Sequence, residues 1–154
     1  MNVPQAKKGF TIIEVVLVLA IAGLIFLMVF VALPALQRNQ RDTQRRDDVS
    51  RVVSQLQNYS TNNRGSLPTG AVFASATFQN GYLKASDGEF NDPKTGESYK
   101  PVILADATPG EGEIQYVAGR ACDGENIGTT NAGKRQAAIR VKLEGSGYFC
   151  QNAQ

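Results

Sequence analysis

Two hydrophobic patterns follow one another at the start of this chain. From Val15 to Leu36 every residue is apolar, Gly or Pro, a run of 22. As a helix rising about 1.5 Å per residue it would span about 33 Å, enough to cross a bilayer core. Beyond it, Val49, Val52, Val53, Leu56, Tyr59 and Ser60 recur at spacings of three and four. That spacing marks one face of an amphipathic helix. No Gly or Pro falls between Ala35 and Asn63, so the two patterns read as one helix. It should stop near Asn62-Asn63-Arg64-Gly65, with Gly65 just past the cap and Pro68 beyond. Gly23 and Pro34 weaken its first half, because an interior Pro deletes a backbone hydrogen bond and costs about 3 kcal/mol. A tolerated transmembrane kink and a segment that bends or melts in another environment are both open readings of these two residues.

The pattern then changes period. Ala137, Ile139, Val141 and Leu143 alternate with Ala138, Arg140 and Lys142, which predicts a half-buried strand. Ile114 to Ala118 reads as a second strand. Tyr148-Phe149-Cys150 reads as a third, joined to the first through a hairpin at Glu144-Gly145-Ser146-Gly147. Residues 66–104 are rich in turn formers, and Phe73 to Leu83 fits a short helix or a strand equally. The expectation is an α+β fold: a long N-terminal helix, its apolar half protruding, packed on a small antiparallel sheet.

Charge sharpens the picture at two places. Five Arg and three Asp lie between Arg38 and Arg51. Arg38–Asp42, Asp42–Arg46 and Asp47–Arg51 are spaced i,i+4 and should form helix-surface pairs. Overall there are 16 Lys and Arg against 14 Asp and Glu, and Lys7 with Lys8 supplies the excess. So balanced a surface argues against broad nucleic-acid binding. The chain has no His. Imidazole catalysis and His metal sites are therefore excluded. Cys122 and Cys150, its only cysteines, suggest one disulfide in an oxidising, extracytoplasmic space, with two free thiols as the alternative.

One acid stands out. Glu14 interrupts the apolar segment just after Lys7-Lys8-Gly9. A carboxylate inside a membrane helix is costly, and it asks for a cationic partner. A cut between Gly9 and Phe10 would create an α-amine four residues away. No small-residue cleavage pattern follows the apolar run, so this is not an ordinary secretory signal, and the run would stay in the mature protein.

Lys-Lys-Gly-Phe-Thr-Ile-Ile-Glu at residues 7–14 resembles the class III prepilin signal of type IV pilins and their relatives. The likeness covers residues 7–64 well. The turn Asn91-Asp92-Pro93-Lys94-Thr95-Gly96 with Tyr99 is a weaker echo of the family's heads. The resemblance implies that a prepilin peptidase cleaves after Gly9 and that the Phe10 amine is methylated. Glu14 and Thr11 would then serve assembly. Many pilins carry a helix Pro about one turn nearer the N-terminus than Pro34, so the place of any melted stretch differs here.

The resemblance divides the chain into a leader at 1–9, a membrane and filament-core helix at 10–36, an amphipathic continuation at 37–64 and a disulfide-pinned head at 65–154. It implies a non-enzymatic subunit without a cofactor, polymerising with copies of itself for adhesion, surface motility or DNA uptake. Its partners would be the peptidase, an assembly platform, ATPase motors and the cytoplasmic membrane before assembly, with DNA or a host surface outside. Lys7 and Lys8 favour a cytoplasmic N-terminus, although the Arg residues after the apolar run pull the other way. Two rival readings remain: a pseudopilin of a secretion or competence system, and a single-span anchor displaying a binding domain.

Weaker signals have plain counterparts. Asp87, Glu89 and Asp92 could ligate Ca²⁺ or simply form a solvated turn. Lys134, Arg135, Arg140 and Lys142 could form a basic patch for DNA, but residues 61–154 hold nine basic and ten acidic side chains. Tyr82 and Tyr99 could stack on bases or pack in the core. No nucleophile has a visible base.

Overall fold

The computed structural model describes residues 9–154, so Lys7 and Lys8 lie outside the described residues. Helix α1 runs from Ile12 to Asn62 and passes through Gly23 and Pro34 as one element. The chain divides into two units, Met1–Gln37 and Arg38–Gln154.

In the first unit, among the described residues, the helix has nothing apolar to pack on. Phe10 is 91% exposed and Phe30 74%, and the large apolar side chains up to Leu36 are uncovered throughout. An 18-residue window of α1 has a mean hydropathy of 3.2, and none of it is buried. Length and composition therefore suit it to hydrocarbon rather than water.

The second unit is built on the polar half of α1. Asp42, Arg45, Val49, Val52, Val53 and Leu56 form one buried stripe along it. The helix ends at Asn62, where the Gly65 N–H closes back on the Ser60 carbonyl at 2.8 Å. Arg64 and Gly65 both take left-handed φ values, 56° and 78°, which suits Gly65 to the reversal expected of it. Two short helices follow: α2 (Gly70–Phe73), capped by the Thr69 hydroxyl, and α3 (Ala76–Gly81), capped by Ser75. α3 lies within the segment Phe73 to Leu83 that fitted helix or strand equally, and α2 ends where it begins. They deliver Phe73 and Phe78 to the core, where Phe73 stacks on Tyr116 at 4.4 Å. Tyr59, Phe78 and Tyr82 form an edge-to-face and stacked trio nearby.

Strands β1 (Lys100–Val102), β2 (Glu113–Ala118), β3 (Cys122–Asp123), β4 (Asn126–Ile127), β5 (Ala137–Lys142) and β6 (Tyr148–Ala153) complete the unit. The main sheet has the order β1-β2-β5-β6, and β3 with β4 forms a separate ribbon. β2, β5 and β6 are antiparallel, as expected, but β1 pairs with β2 in parallel. The parallel pair requires a crossing segment, and residues 103–112 supply it. That segment is tied down by Gln115, whose Nε2 donates to the carbonyls of Leu104 and Ala107 at 2.6 and 2.8 Å.

The same tie-down corrects the reading of β5 as half-buried. Ala137, Ile139 and Val141 face the core, but Ala138 and Arg140 on the other side are buried as well. Arg140 lies under Gln115, Asn126 and the Ala107 carbonyl, with its guanidinium 4.8 Å from the Tyr148 ring centre. Cys122 and Cys150 form the disulfide, which fastens the β3–β4 ribbon to the middle of β6.

Candidate functional site

Two polar constellations stand out, one in each unit. The first begins α1. Thr11 precedes the first helical residue, and Glu14 sits three positions on. Glu14 Oε2 accepts from the Thr11 N–H at 2.9 Å and from its hydroxyl at 2.8 Å, while the Glu14 N–H points back at Thr11 Oγ1 at 3.4 Å. This is a capping box, in which two residues satisfy amides that a helix start leaves open. The negative side chain also suits the positive end of the helix dipole. Only one carboxylate oxygen is used in these bonds. Among the described residues, no cation pairs with Glu14. Phe10, Glu14, Val15, Val18 and Leu19 line a shallow groove of about 330 Å³, so the acid opens onto an apolar strip.

The second constellation lies where α1 enters the head. Arg45 is fully buried. Its Nε donates to Asp92 Oδ2 at 2.8 Å, and its two terminal nitrogens face Asp42 Oδ1 and Glu144 Oε1 at 3.6 and 3.5 Å. Those two nitrogens make no hydrogen bond, so the guanidinium is held by one direct bond and by surrounding charge. Each acid has a further task. Asp92 Oδ1 accepts the N–H groups of Lys94 and Thr95, both at 3.0 Å, which shapes the Asn91–Gly96 turn. Asp42 accepts the N–H groups of Glu144 and Gly145 at 2.7 and 3.1 Å, holding the β5–β6 hairpin. Glu144 takes a two-pronged bond from Arg41 at 2.6 and 2.8 Å.

These neighbours set the acids' behaviour. Burial alone would raise the Asp92 carboxyl, but the bonds from Arg45 and from the turn amides hold it below its usual range. The Arg41 bond holds Glu144 low despite burial. Asp48 goes the other way: burial raises it, although the Tyr99 hydroxyl donates to it at 3.0 Å.

This network replaces the pairs expected from helix spacing. None of Arg38–Asp42, Asp42–Arg46 and Asp47–Arg51 forms. Apart from the i,i+3 contact of Arg45 with Asp42, the ion pairs of this stretch run instead to distant segments, with Arg51 reaching Glu89 at 2.6 Å. The side chains of Asp92 and Glu144 are buried, so their pairs with Arg45 and Arg41 are less screened than pairs on the water-exposed helix surface. The sequence held one overlooked signal: Asp42 and Arg45 continue the Val49, Val52, Leu56 stripe at the same spacing, which places charges on the buried face. Two of the three candidate calcium ligands are spent elsewhere, Asp92 on Arg45 and Glu89 on Arg51, and Asp87 accepts only from the neighbouring Ser86 hydroxyl. Arg140 is lost to the basic patch by burial, while Lys134 and Arg135 are exposed. Tyr99 is core, and Tyr82 packs against it in the aromatic trio, so neither presents a free ring for stacking.

Residues 4–30 match the family model described as the prokaryotic N-terminal methylation motif. No curated protein and no solved structure matches the chain.

Proposed function

We propose that this chain, type IV pilin-like by its N-terminal methylation motif and its α+β architecture, is a structural subunit of a type IV pilus filament. The motif implies processing by prepilin peptidase and assembly into pilus-like polymers. In the reading proposed here, residues 1–9 are removed after Gly9 and the new Phe10 amine is methylated. Residues 10–36 hold the subunit in the cytoplasmic membrane and later form the filament core. Residues 37–64 carry that helix into the head at 65–154, which becomes the outer surface. Assembly platform and motor ATPases would be separate chains.

One observation carries the reading: an uncovered apolar helix begins with a carboxylate that, among the described residues, has no cation paired with it. In lipid the apolar surface is satisfied and the acid is not. A neighbour's Phe10 amine would neutralise it, and only at one axial offset, so the charge pair sets register. Thr11 supports this by holding Glu14 with one oxygen engaged and the other open. The pseudopilin reading shares every one of these features and differs only in fibre length outside the cell.

The test has two parts. Mass spectrometry of the membrane-extracted protein should find an N-terminus at methylated Phe10; an intact Met1 would favour a simple anchor. Cells carrying Glu14→Val should accumulate processed, membrane-resident subunits and show no fibres by electron microscopy. Fibres of ordinary length and number from that variant would refute the role given to Glu14.

A further inference from the structure

The head contains a second concavity. It is a cleft of about 450 Å³ at the C-terminal end of α1, between the loop that follows the helix and the loops flanking the β3–β4 ribbon. Its polar lining is Ser66, Thr69, Arg120, Asn131 and Lys134, with Gly119 in the wall. No carboxylate lines it. Among the described residues, neither Arg120 nor Lys134 pairs with an acid.

The lining offers mainly hydrogen-bond donors. Asn131 Oδ1 is occupied by the Gly133 N–H at 3.1 Å, which leaves its amide N–H groups to give. Thr69 Oγ1 accepts from Val72 at 3.4 Å and keeps its hydroxyl proton. Arg120 spends one terminal nitrogen on the Gly128 carbonyl at 3.4 Å and retains the rest of its fork. The walls are fixed before any ligand arrives. Tyr116 donates to the Pro68 carbonyl at 2.6 Å, the Gly119 N–H to Gln136 at 2.7 Å, and the Ala132 N–H to Gly119 at 2.8 Å. Arg135 is engaged differently, with its guanidinium packed over Gly65 at the helix end, where it offsets the negative pole.

A small, rigid, donor-rich cleft with two uncompensated cations suits a compact ligand bearing an anion and several acceptor hydroxyls. We infer that it binds an acidic saccharide residue, its carboxylate or phosphate between Arg120 and Lys134 and its hydroxyls on Ser66, Thr69 and Asn131. Single-stranded nucleic acid fits less well, because no aromatic ring lines the cleft to stack a base. The inference does not rest on the filament reading, and solubilised subunits test it without assembly.

The experiment titrates the full chain in detergent micelles, following amide shifts by NMR. The probes are digalacturonate, neutral digalactose, inorganic phosphate and a short single-stranded DNA. Digalacturonate should bind saturably, with shifts centred on the Gly119 and Gly133 amides. The paired substitution Arg120→Gln with Lys134→Gln should weaken it at least about tenfold, since both charge-assisted bonds are lost. Shifts that map elsewhere in the parent protein would overturn the inference even if the double variant failed to fold. Equal binding of the neutral sugar would also overturn it. So would phosphate or DNA displacing digalacturonate at lower concentration.

Discussion

Both halves of α1 come from one unbroken helix, yet they solve opposite problems. Among the described residues up to Gln37, every large apolar side chain is uncovered, and the one acid finds hydrogen bonds only within its own first turn. In the half from Arg38 the apolar side chains are covered, and a buried Arg is surrounded by three acids from three segments. The apolar stripe of the second half is therefore covered by its own chain, and the apolar surface of the first is not. Charge has a different use in each: inside the head it joins distant segments of one chain, and at Glu14, among the described residues, it caps the start of its own helix.

That contrast can be broken at its most buried point. Asp92→Ala should destabilise the head by about 3–5 kcal/mol, since it removes the one direct bond to a buried guanidinium and the organiser of a turn. Urea unfolding followed by head tyrosine fluorescence measures it. Helicity of the apolar half in micelles should not change. Reducing the disulfide, or replacing both cysteines with Ser, opens a loop whose ends are 28 positions apart, and the chain-entropy account gives about 3.5 kcal/mol. Equal unfolding midpoints with and without reductant would contradict it. Ser75→Ala removes the cap of α3 and should lower head stability by about 1 kcal/mol.

Acidity sharpens the contrast further. Asp92 and Glu144 are held below their ordinary ranges, so each contributes stability that is present above its unfolded pKa. That stability drains away as pH falls below about 4, through the folded values. Asp48 is raised and works the other way, gaining a little as it protonates. The two lowered acids outnumber it, so head melting temperature should drop steadily from pH 5 to pH 2. A flat profile over that range would mean the network holds the head together less than its burial suggests.

Much of this was legible in the residues. The apolar run, the 3–4 stripe through Leu56, the alternation in β5, the hairpin at Glu144–Gly147 and the cysteine pair each carry a local signal, and each corresponds to a feature of the structure. β1 and the β3–β4 ribbon did not announce themselves. They are two or three residues long and exist because β2, β5 and β6 give them something to pair with. The Arg45 network was hidden for the same reason. Helix spacing reveals which charges neighbour each other along α1, but Asp92 and Glu144 come from turns whose approach depends on the whole sheet. At the N-terminus the situation is reversed: Thr11 and Glu14 are a local pair, and their three-residue separation is visible without any fold.

Asp42 grips amides at Glu144 and Gly145, about a hundred positions downstream. Polar residues of α1 are thus sealed by a hairpin made about a hundred residues later. While the chain is being made, the polar half of the helix must wait uncovered, with its charges in water, until the final hairpin emerges. A truncation that stops short of that hairpin would remove Glu144, one of the three acids around Arg45, and both amides held by Asp42, so the head should arrive all at once or not at all.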